Sequence, residues 1–380
     1  MRILSCLCLC VLTAAVSTAR DVTVYIGTFT HFNGADTGSH GIYAGHFDSE
    51  TGRLSGLTLA AEGANPSFLV FSPDHKHLYA TSEVATTDGR PAGGVYAFAV
   101  NAADGSLKLL NRASAGGPGP THIAIDPSGR AVMVANYDNG SIAALPVKPD
   151  GSLGDPATYL QHTGKSVDPK RQDHAYAHSV TFSRDGRFVF SDDLGTDKLY
   201  AYGIDTATCA LTPLDPPSVS LKPGSGPRHF ALHPDGRHAY VVSEMASTVT
   251  VFDYNAAKGS FNETQTVSTV PPGFKDSNSG AEIAVHPSGK FVYTSNRGQD
   301  SIALFRVEAA TGHLTLVETV PTQGKTPRFF GIDPSGRWLV AANQNSNTLV
   351  VFRIDPASGR ITPAGSTAEL GAPVCVVFGN

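Results

Sequence analysis

One phrase recurs six times along the 380-residue chain, and a repeat of this kind limits the fold more than any local pattern does. In order it reads SPDHKHLYATSE from Ser72, DPSGRAVMVANY from Asp126, SRDGRFVFSDDL from Ser183, HPDGRHAYVVSE from His233, HPSGKFVYTSNR from His286 and DPSGRWLVAANQ from Asp333, with about 50 residues between copies. That period belongs to propellers and solenoids. Each copy joins a short apolar run to a second alternating run through a turn such as Pro-Asp-Gly or Pro-Ser-Gly, which is a hairpin. A third strand follows (VYAFAV, SIAALPV, KLYAYGI, TVTVFDY, SIALFRV, TLVVFRI), then a turn and a fourth amphipathic strand such as GHLTLVETV. Four antiparallel strands per unit make one propeller blade.

The two ends of the repeat complete each other. VTVYIGT (22–28) reads as a second strand, GIYAGHF as a third and RLSGLTL as a fourth, with no first strand before them. PVCVVF (373–378) matches the first strands PSFLVF and PTHIAI of other units. The predicted fold is therefore all-β: a seven-bladed β-propeller, four antiparallel strands per blade, its ring closed by the C-terminal strand joining the N-terminal blade, which removes free sheet edges. An open solenoid of the same hairpins would need capping units, and the repeat shows none.

Residues 1–19 stand apart. Arg2, an apolar run from Ile3 to Val16 and small residues Ser17 and Ala19 form the pattern of a secretory signal, too short to span a bilayer. The expected organisation is a leader over 1–19 and one propeller domain over 20–380, secreted or periplasmic and with no membrane association after cleavage. Three of the five cysteines lie in the leader, so Cys209 and Cys375 remain, expected as small buried apolar residues rather than a disulfide framework. Thirty-nine glycines and twenty-five prolines suit many short strands and turns, and 41% apolar with 16% charged residues excludes disorder. A net charge of −5 without a basic block lacks the footprint of nucleic-acid binding.

In an antiparallel blade the start of the first strand and the end of the second lie at one face, around the mouth of the central channel. The first-strand starts are Ser67, His122, His178, Arg228 with His229, Glu282 and Arg328; the second-strand ends are Glu83, Asn136, Asp192 with Asp193, Glu244, Arg297 and Gln344. Three arginines facing one space repel unless carboxylates or an anionic ligand sit between them, which points to an anionic or carboxylate-rich ligand. His75, His77, His233, His238 and His286 fall in or beside the opposite turns and read as structural or surface residues. The chain has no His-Glu-x-x-His, zinc-spaced cysteine pair, EF-hand loop, Gly-x-Ser-x-Gly or phosphate-binding loop, so neither metal nor cofactor is called for.

From Val22 to Asn380 the chain resembles the seven-bladed propeller lactonases, a group holding bacterial 6-phosphogluconolactonases of the cycloisomerase type and fungal 3-carboxymuconate-lactonising enzymes. The likeness is most specific in RQDHAYAHSV, GPRHFALHPDGRHAYVVSE and SGAEIAVHPSGKFVYTSNRGQDSIALFRV. It implies a catalytic quartet of a His, two Arg and a Glu, matching His178 in AHSV, Arg228 in GPRH, Glu244 in VSE and Arg297 in SNRG. His122, His229, Glu282, Arg328, Asn136, Asp193 and Gln344 are then the candidates for substrate binding. Many relatives read Pro-His-Ala-His where this chain has Ala175 and Tyr176 before Ala177 and His178, so the first imidazole of that motif is missing. The resemblance implies a hydrolase opening a sugar-derived or carboxylated lactone. Its base is His178 or Glu244, and Arg228 and Arg297 are its oxyanion donors. A cycloisomerase, or a secreted propeller that binds an anion, carbohydrate or protein without catalysis, are the alternatives. Export sits poorly with a phosphorylated cytosolic sugar, so lactone chemistry is the firmer expectation.

Overall fold

Each blade lies between two others, and the sequence prepares its middle strands for that. Second strands such as Ala131–Asn136 and His238–Ser243 are buried along their whole length. Fourth strands such as Leu107–Ser114 and Ile361–Glu369 alternate or turn polar because they face solvent at the rim. The computed structural model describes residues 21–379 apart from 87–88 and 90–91, so the expected leader at 1–19 lies outside the described residues. Among these it holds seven four-stranded antiparallel sheets, the blades, and one small two-stranded ribbon.

Blade one is the mixed blade. Pro373–Phe378 forms its inner strand beside Asp21–Thr28, followed by Gly41–Asp48 and Arg53–Glu62. Val24 pairs with Phe378 and Ile26 with Val376, so the two ends of the repeat are stitched into one sheet. Blades two to seven begin at Leu69, Pro120, Ala177, Pro227, Ser279 and Pro327. The apolar clusters lie between sheets; one joins Val24, Ile26 and Phe47 of blade one to Trp338, Val340 and Val351 of blade seven, closing the ring.

Two repeated devices hold neighbouring blades. A tyrosine in the second strand donates its hydroxyl to a glycine carbonyl in the next blade: Tyr25 to Gly105 at 2.7 Å, Tyr79 to Gly151 at 3.0 Å, Tyr240 to Gly312 at 3.0 Å and Tyr293 to Gly359 at 2.6 Å. Two residues earlier in the same strands, an aromatic or imidazole ring packs on that same glycine: His77 on Gly151, His238 on Gly312 and Phe291 on Gly359. These glycines have φ of 67° to 82°, where a Cβ would be strained and would strike the ring. Cys209 and Cys375 are free and buried, and burial pushes the Cys375 thiol up.

Candidate active site at the channel mouth

A β-bulge opens the inner strand of most blades. Pairing shifts between Pro120 and His122, Ala177 and Ser179, Pro227 and His229, Gly280 and Ile283, and Pro327 and Phe329. The extra residues include Thr121, His178, Arg228 and Arg328, and a bulge re-aims such a side chain away from the ladder. The last position of the repeated phrase faces them: Glu83, Tyr137, Leu194, Glu244, Arg297 and Gln344.

Glu244 is the hub of the mouth. Arg171 Nη2 donates to its Oε1 at 2.5 Å, while Arg297 Nη2 at 2.6 Å and Arg228 Nε at 3.1 Å donate to its Oε2. His178 Nε2 lies 3.9 Å from the same Oε2. Burial works to raise the Glu244 carboxyl, but the charges of Arg297 and Arg228 outweigh it and hold the group well below the ordinary carboxylate range. His178 is pushed the other way: burial and the nearby Arg228 charge hold its imidazole well below its usual value, so the ring is neutral at working pH. Arg228 itself is lowered to about 9 by burial and by Arg297 and Arg328, a sign of how crowded the cations are.

Two polar atoms of this cluster are buried without a partner, His178 Nδ1 and Arg297 Nε. Buried polar atoms are seldom left unpaired, so an idle acceptor and an idle donor in one charged mouth require explanation.

Beneath the mouth the second residues of the inner strands fill the channel. Phe68 packs on His122 with ring centroids 4.0 Å apart, His122 lies edge-on to His229 at 5.0 Å, and His229 lies 5.3 Å from His178. Arg228 Nη1 bonds to His229 Nε2 at 3.1 Å and donates to the Ala281 carbonyl at 2.7 Å; His229 Nδ1 meets Glu282 Oε2 at 2.9 Å. Burial pushes Glu282 up to about 8 and lowers His122 to about 3, the latter helped by Arg228. Across the mouth Arg328 lies over the Phe29 ring at 5.1 Å, and Ser67 donates to Glu83, whose carboxyl is raised by burial against the pull of Arg328.

The structure thus brings His178, Arg228, Glu244 and Arg297 together, with His229 and Glu282 continuing the network, His122 in the channel layer and Arg328 on the far rim. It does not bring Asn136 and Asp193 to them. Asn136 Nδ2 donates to the Ala115 carbonyl at 3.0 Å and to Ser141 Oγ at 3.1 Å. Asn296 makes the same pair of bonds in blade six, as Asn343 does in blade seven. Asp193 is fully buried, holding His162 Nδ1 at 2.9 Å and the backbone N–H groups of Tyr176 and Thr196. Both residues sit one position before the mouth, and in a strand that step turns a side chain to the other face. Asp192, another step back, accepts from Ser179 Oγ at 2.7 Å. Gln344 is in phase with the mouth; its backbone N–H donates to the Thr326 carbonyl at 2.9 Å, and its side-chain Oε1 is buried without joining the Glu244 network.

Two participants escaped the sequence reading. Tyr137 is the mouth residue of blade three; its ring meets His178 edge-on at 5.3 Å and its hydroxyl accepts from Arg171 Nη2 at 3.3 Å. It stood at the twelfth place of DPSGRAVMVANY, the place Glu244 and Arg297 hold in their copies. Arg171 comes from the connection between Gln161 and Ala177, outside every repeat, and opens the stretch RQDHAYAHSV that carried the resemblance.

A seven-bladed propeller whose mouth gathers three guanidiniums on one carboxylate beside a neutral imidazole defines a class of ester- and lactone-handling propellers rather than a plain scaffold. Within that class the chain belongs to the family described as lactonase, 7-bladed beta-propeller, whose model matches residues 23–378. It is 39% identical over 354 residues to a 6-phosphogluconolactonase of Bacillus subtilis, covering 93% of this chain and 97% of that protein. A 6-phosphogluconolactonase of Formosa agariphila is 33% identical over 326 residues, 82% of this chain and 86% of that one. Among solved structures, a periplasmic gluconolactonase of Pseudomonas aeruginosa superposes with a TM-score of 0.88 at 33% identity, covering 95% of this chain and 99% of that one.

Proposed function

We propose that this protein hydrolyses a sugar-derived or carboxylated lactone at the channel mouth. The observation that carries the reading is the convergence of Arg171, Arg228 and Arg297 on Glu244 beside the neutral imidazole of His178, a charged site with donors and a base side by side. With its ring proton turned toward Glu244, His178 keeps a lone pair on Nδ1 and takes a proton from water. The water oxygen bonds to the lactone carbonyl carbon, and the charge that collects on the carbonyl oxygen is met by the Arg297 Nε–H. The ring C–O bond then breaks, and the leaving oxygen recovers the proton from the imidazolium, giving a hydroxy acid. Glu244, 3.9 Å from His178 Nε2, stabilises the imidazolium while it lasts. Held by three guanidiniums, Glu244 is itself a weak base, and this favours His178 for the proton transfer.

The relatives' names point to gluconolactones, with and without phosphate, and the leader pattern together with the periplasmic name of the Pseudomonas relative supports action outside the cytoplasm. A panel of lactones, including gluconolactone and its 6-phosphate, assayed by proton release tests the reading. Turnover on at least one member is expected, lost in His178→Ala and Arg297→Ala. Variants that fold and retain full turnover would remove these residues from the mechanism.

A further inference from the structure

Six turns join an inner strand to a second strand, all written with the same phrase, so each serves as a control for the others. Their first and third residues face one another. In five of the six pairs one member is a serine: Ser72 with Asp74, Asp126 with Ser128, Ser183 with Asp185, His286 with Ser288 and Asp333 with Ser335. A hydroxyl proton lies between them in every case. Ser72 donates to Asp74 at 2.7 Å, Ser183 to Asp185 at 2.7 Å, Ser335 to Asp333 at 2.5 Å and Ser288 to His286 Nδ1 at 2.8 Å, while Ser128 donates to Asp126.

Blade five differs. Its pair is His233 and Asp235, with Nδ1 and Oδ1 3.0 Å apart and no hydroxyl to share. The imidazole proton is committed elsewhere: His233 Nε2 lies 2.7 Å from the Gly289 carbonyl, the same bond that His286 makes to Gly336 at 2.8 Å. His233 Nδ1 accepts from the Asp235 backbone N–H at 3.2 Å, just as His286 Nδ1 accepts from that of Ser288 at 3.1 Å. The near nitrogen of His233 is therefore set against a carboxylate oxygen, Asp235 Oδ1.

On the other oxygen of Asp235 stands His238 Nδ1 at 2.7 Å, its Nε2 turned toward Asp253 Oδ1 at 3.9 Å. Blade six has Phe291 at this position, packed on its glycine in the same way, so the fold asks only for a ring here. Both imidazoles thus turn the near nitrogen to one carboxylate, and His233 holds its far nitrogen on a carbonyl, the second-shell pattern of a histidine metal ligand; His238 Nε2, 3.9 Å from Asp253, makes no such bond. Arg237 Nη2 also approaches Asp235 Oδ2, at 3.5 Å, from a largely exposed side chain that can swing away.

We propose that His233, Asp235 and His238 bind a divalent transition-metal ion of the zinc class, on the face of the propeller opposite the mouth, with water in the fourth position. One ligand atom from each lies within 4.8 Å of the others. Tetrahedral zinc sets its N and O ligands about 3.3 Å apart, so side-chain rotation has to bring the widest-spaced pair together by up to about 1.5 Å to admit the ion. Both imidazoles are buried and the Asp235 carboxylate is 20% exposed, which leaves an entry from solvent. The ion stands where a hydroxyl proton stands in the other five turns, and it pins the start of the second strand to the end of the first.

The test is titration of chelator-treated protein with zinc by calorimetry and with cobalt(II) by visible absorption, for the parent and for Asp235→Ser/His238→Phe. That double variant writes the blade-six turn into blade five, a sequence this fold already accommodates, and His238→Phe alone is the milder companion. The parent is expected to bind one equivalent of zinc, to show the intensified d–d absorption of a tetrahedral cobalt site and to melt higher with metal. The variants are expected to lose all three responses while melting near the parent without metal. Weak binding at surface imidazoles is common to all of them and cancels in the comparison. Indistinguishable isotherms for parent and double variant, or no zinc uptake by the folded parent, would overturn the site.

Discussion

Replacing Glu244 by glutamine removes the charge on which the mouth is organised and changes almost nothing in shape. The carboxylate side chain is 8% exposed and receives Arg228, itself 3% exposed, and Arg297, 14% exposed. With that charge gone the two guanidiniums face each other, and Arg328 adds to the repulsion already felt by Arg228. Removing one member of a buried ion pair costs about 3 to 5 kcal/mol. The Arg171 contact adds at most about 1 kcal/mol, since that side chain is 43% exposed and screened by solvent. For a domain of this length about 1.3 °C of melting temperature corresponds to each kcal/mol, so Glu244→Gln is expected to melt roughly 4 to 8 °C lower at neutral pH. The gap has a pH signature. Glu244 titrates lower in the folded protein than in the unfolded chain, so its contribution is full above the unfolded carboxylate value of about 4.3 and is lost as pH falls through the depressed folded value. Melting curves of parent and variant from pH 3 to pH 8, about a decade of proton activity per step, should run parallel above pH 5 and converge in acid. Lactone turnover should fall by about a hundredfold or more, since the imidazolium loses its counter-charge. A variant as stable as the parent at neutral pH, or a gap that persists unchanged into acid, would refute the idea that Glu244 is charged and central.

Arg228→Met should behave oppositely in stability: it removes the cation most burdened by burial and by its neighbours, so the melting temperature stays near or above that of the parent while turnover falls about a hundredfold. Arg171→Met, in the exposed connection, should leave stability within about 1 kcal/mol and raise KM more than it lowers kcat, as steady-state kinetics would show. Deleting residues 373–380 removes the inner strand of blade one and should abolish cooperative thermal unfolding; a truncated protein melting like the parent would defeat the ring closure. Mass spectrometry of protein expressed with its own leader should find a mature N-terminus near Arg20, and intact Met1 would defeat the export reading.

How much of this was readable in advance follows from what a repeat can encode. Blade number, ring closure and the pairing of PVCVVF with VTVYIGT were legible because a propeller states its architecture six times over and leaves a gap of one strand at the ends. The polar ring at the mouth was legible because the strand ends of several blades carry charges that no sheet needs, whereas the choice of His178, Arg228, Glu244 and Arg297 within it came from the resemblance. Phase was harder. Glu244 and Arg297 stand at the twelfth place of the phrase, Asn136 and Asp193 at the eleventh, and only hydrogen bonds reveal that the eleventh place ties blades together while the twelfth faces the channel. Strict alignment of the six copies would have put Tyr137 in the ring and left Asn136 out.

Arg171 shows the other limit. No repeat position predicts it, because it reaches Glu244 from a connection 73 residues earlier in the chain. A long connection is the one part of a propeller free to vary without disturbing a sheet, and so it is where a family can adjust what enters the mouth. Glu244, Arg228 and Arg297 are fixed on strands, with Arg228 further tied to the Ala281 carbonyl. Among the described residues the Arg171 guanidinium is held by Glu244 and Tyr137, two groups a substrate anion could replace. An anion arriving at the mouth would therefore compete first for Arg171, releasing Oε1 of Glu244, while Oε2, the oxygen 3.9 Å from His178 Nε2, keeps Arg228 and Arg297. On the proposed mechanism, then, the half-exposed arginine outside the repeat is the group through which substrate binding would reach Glu244.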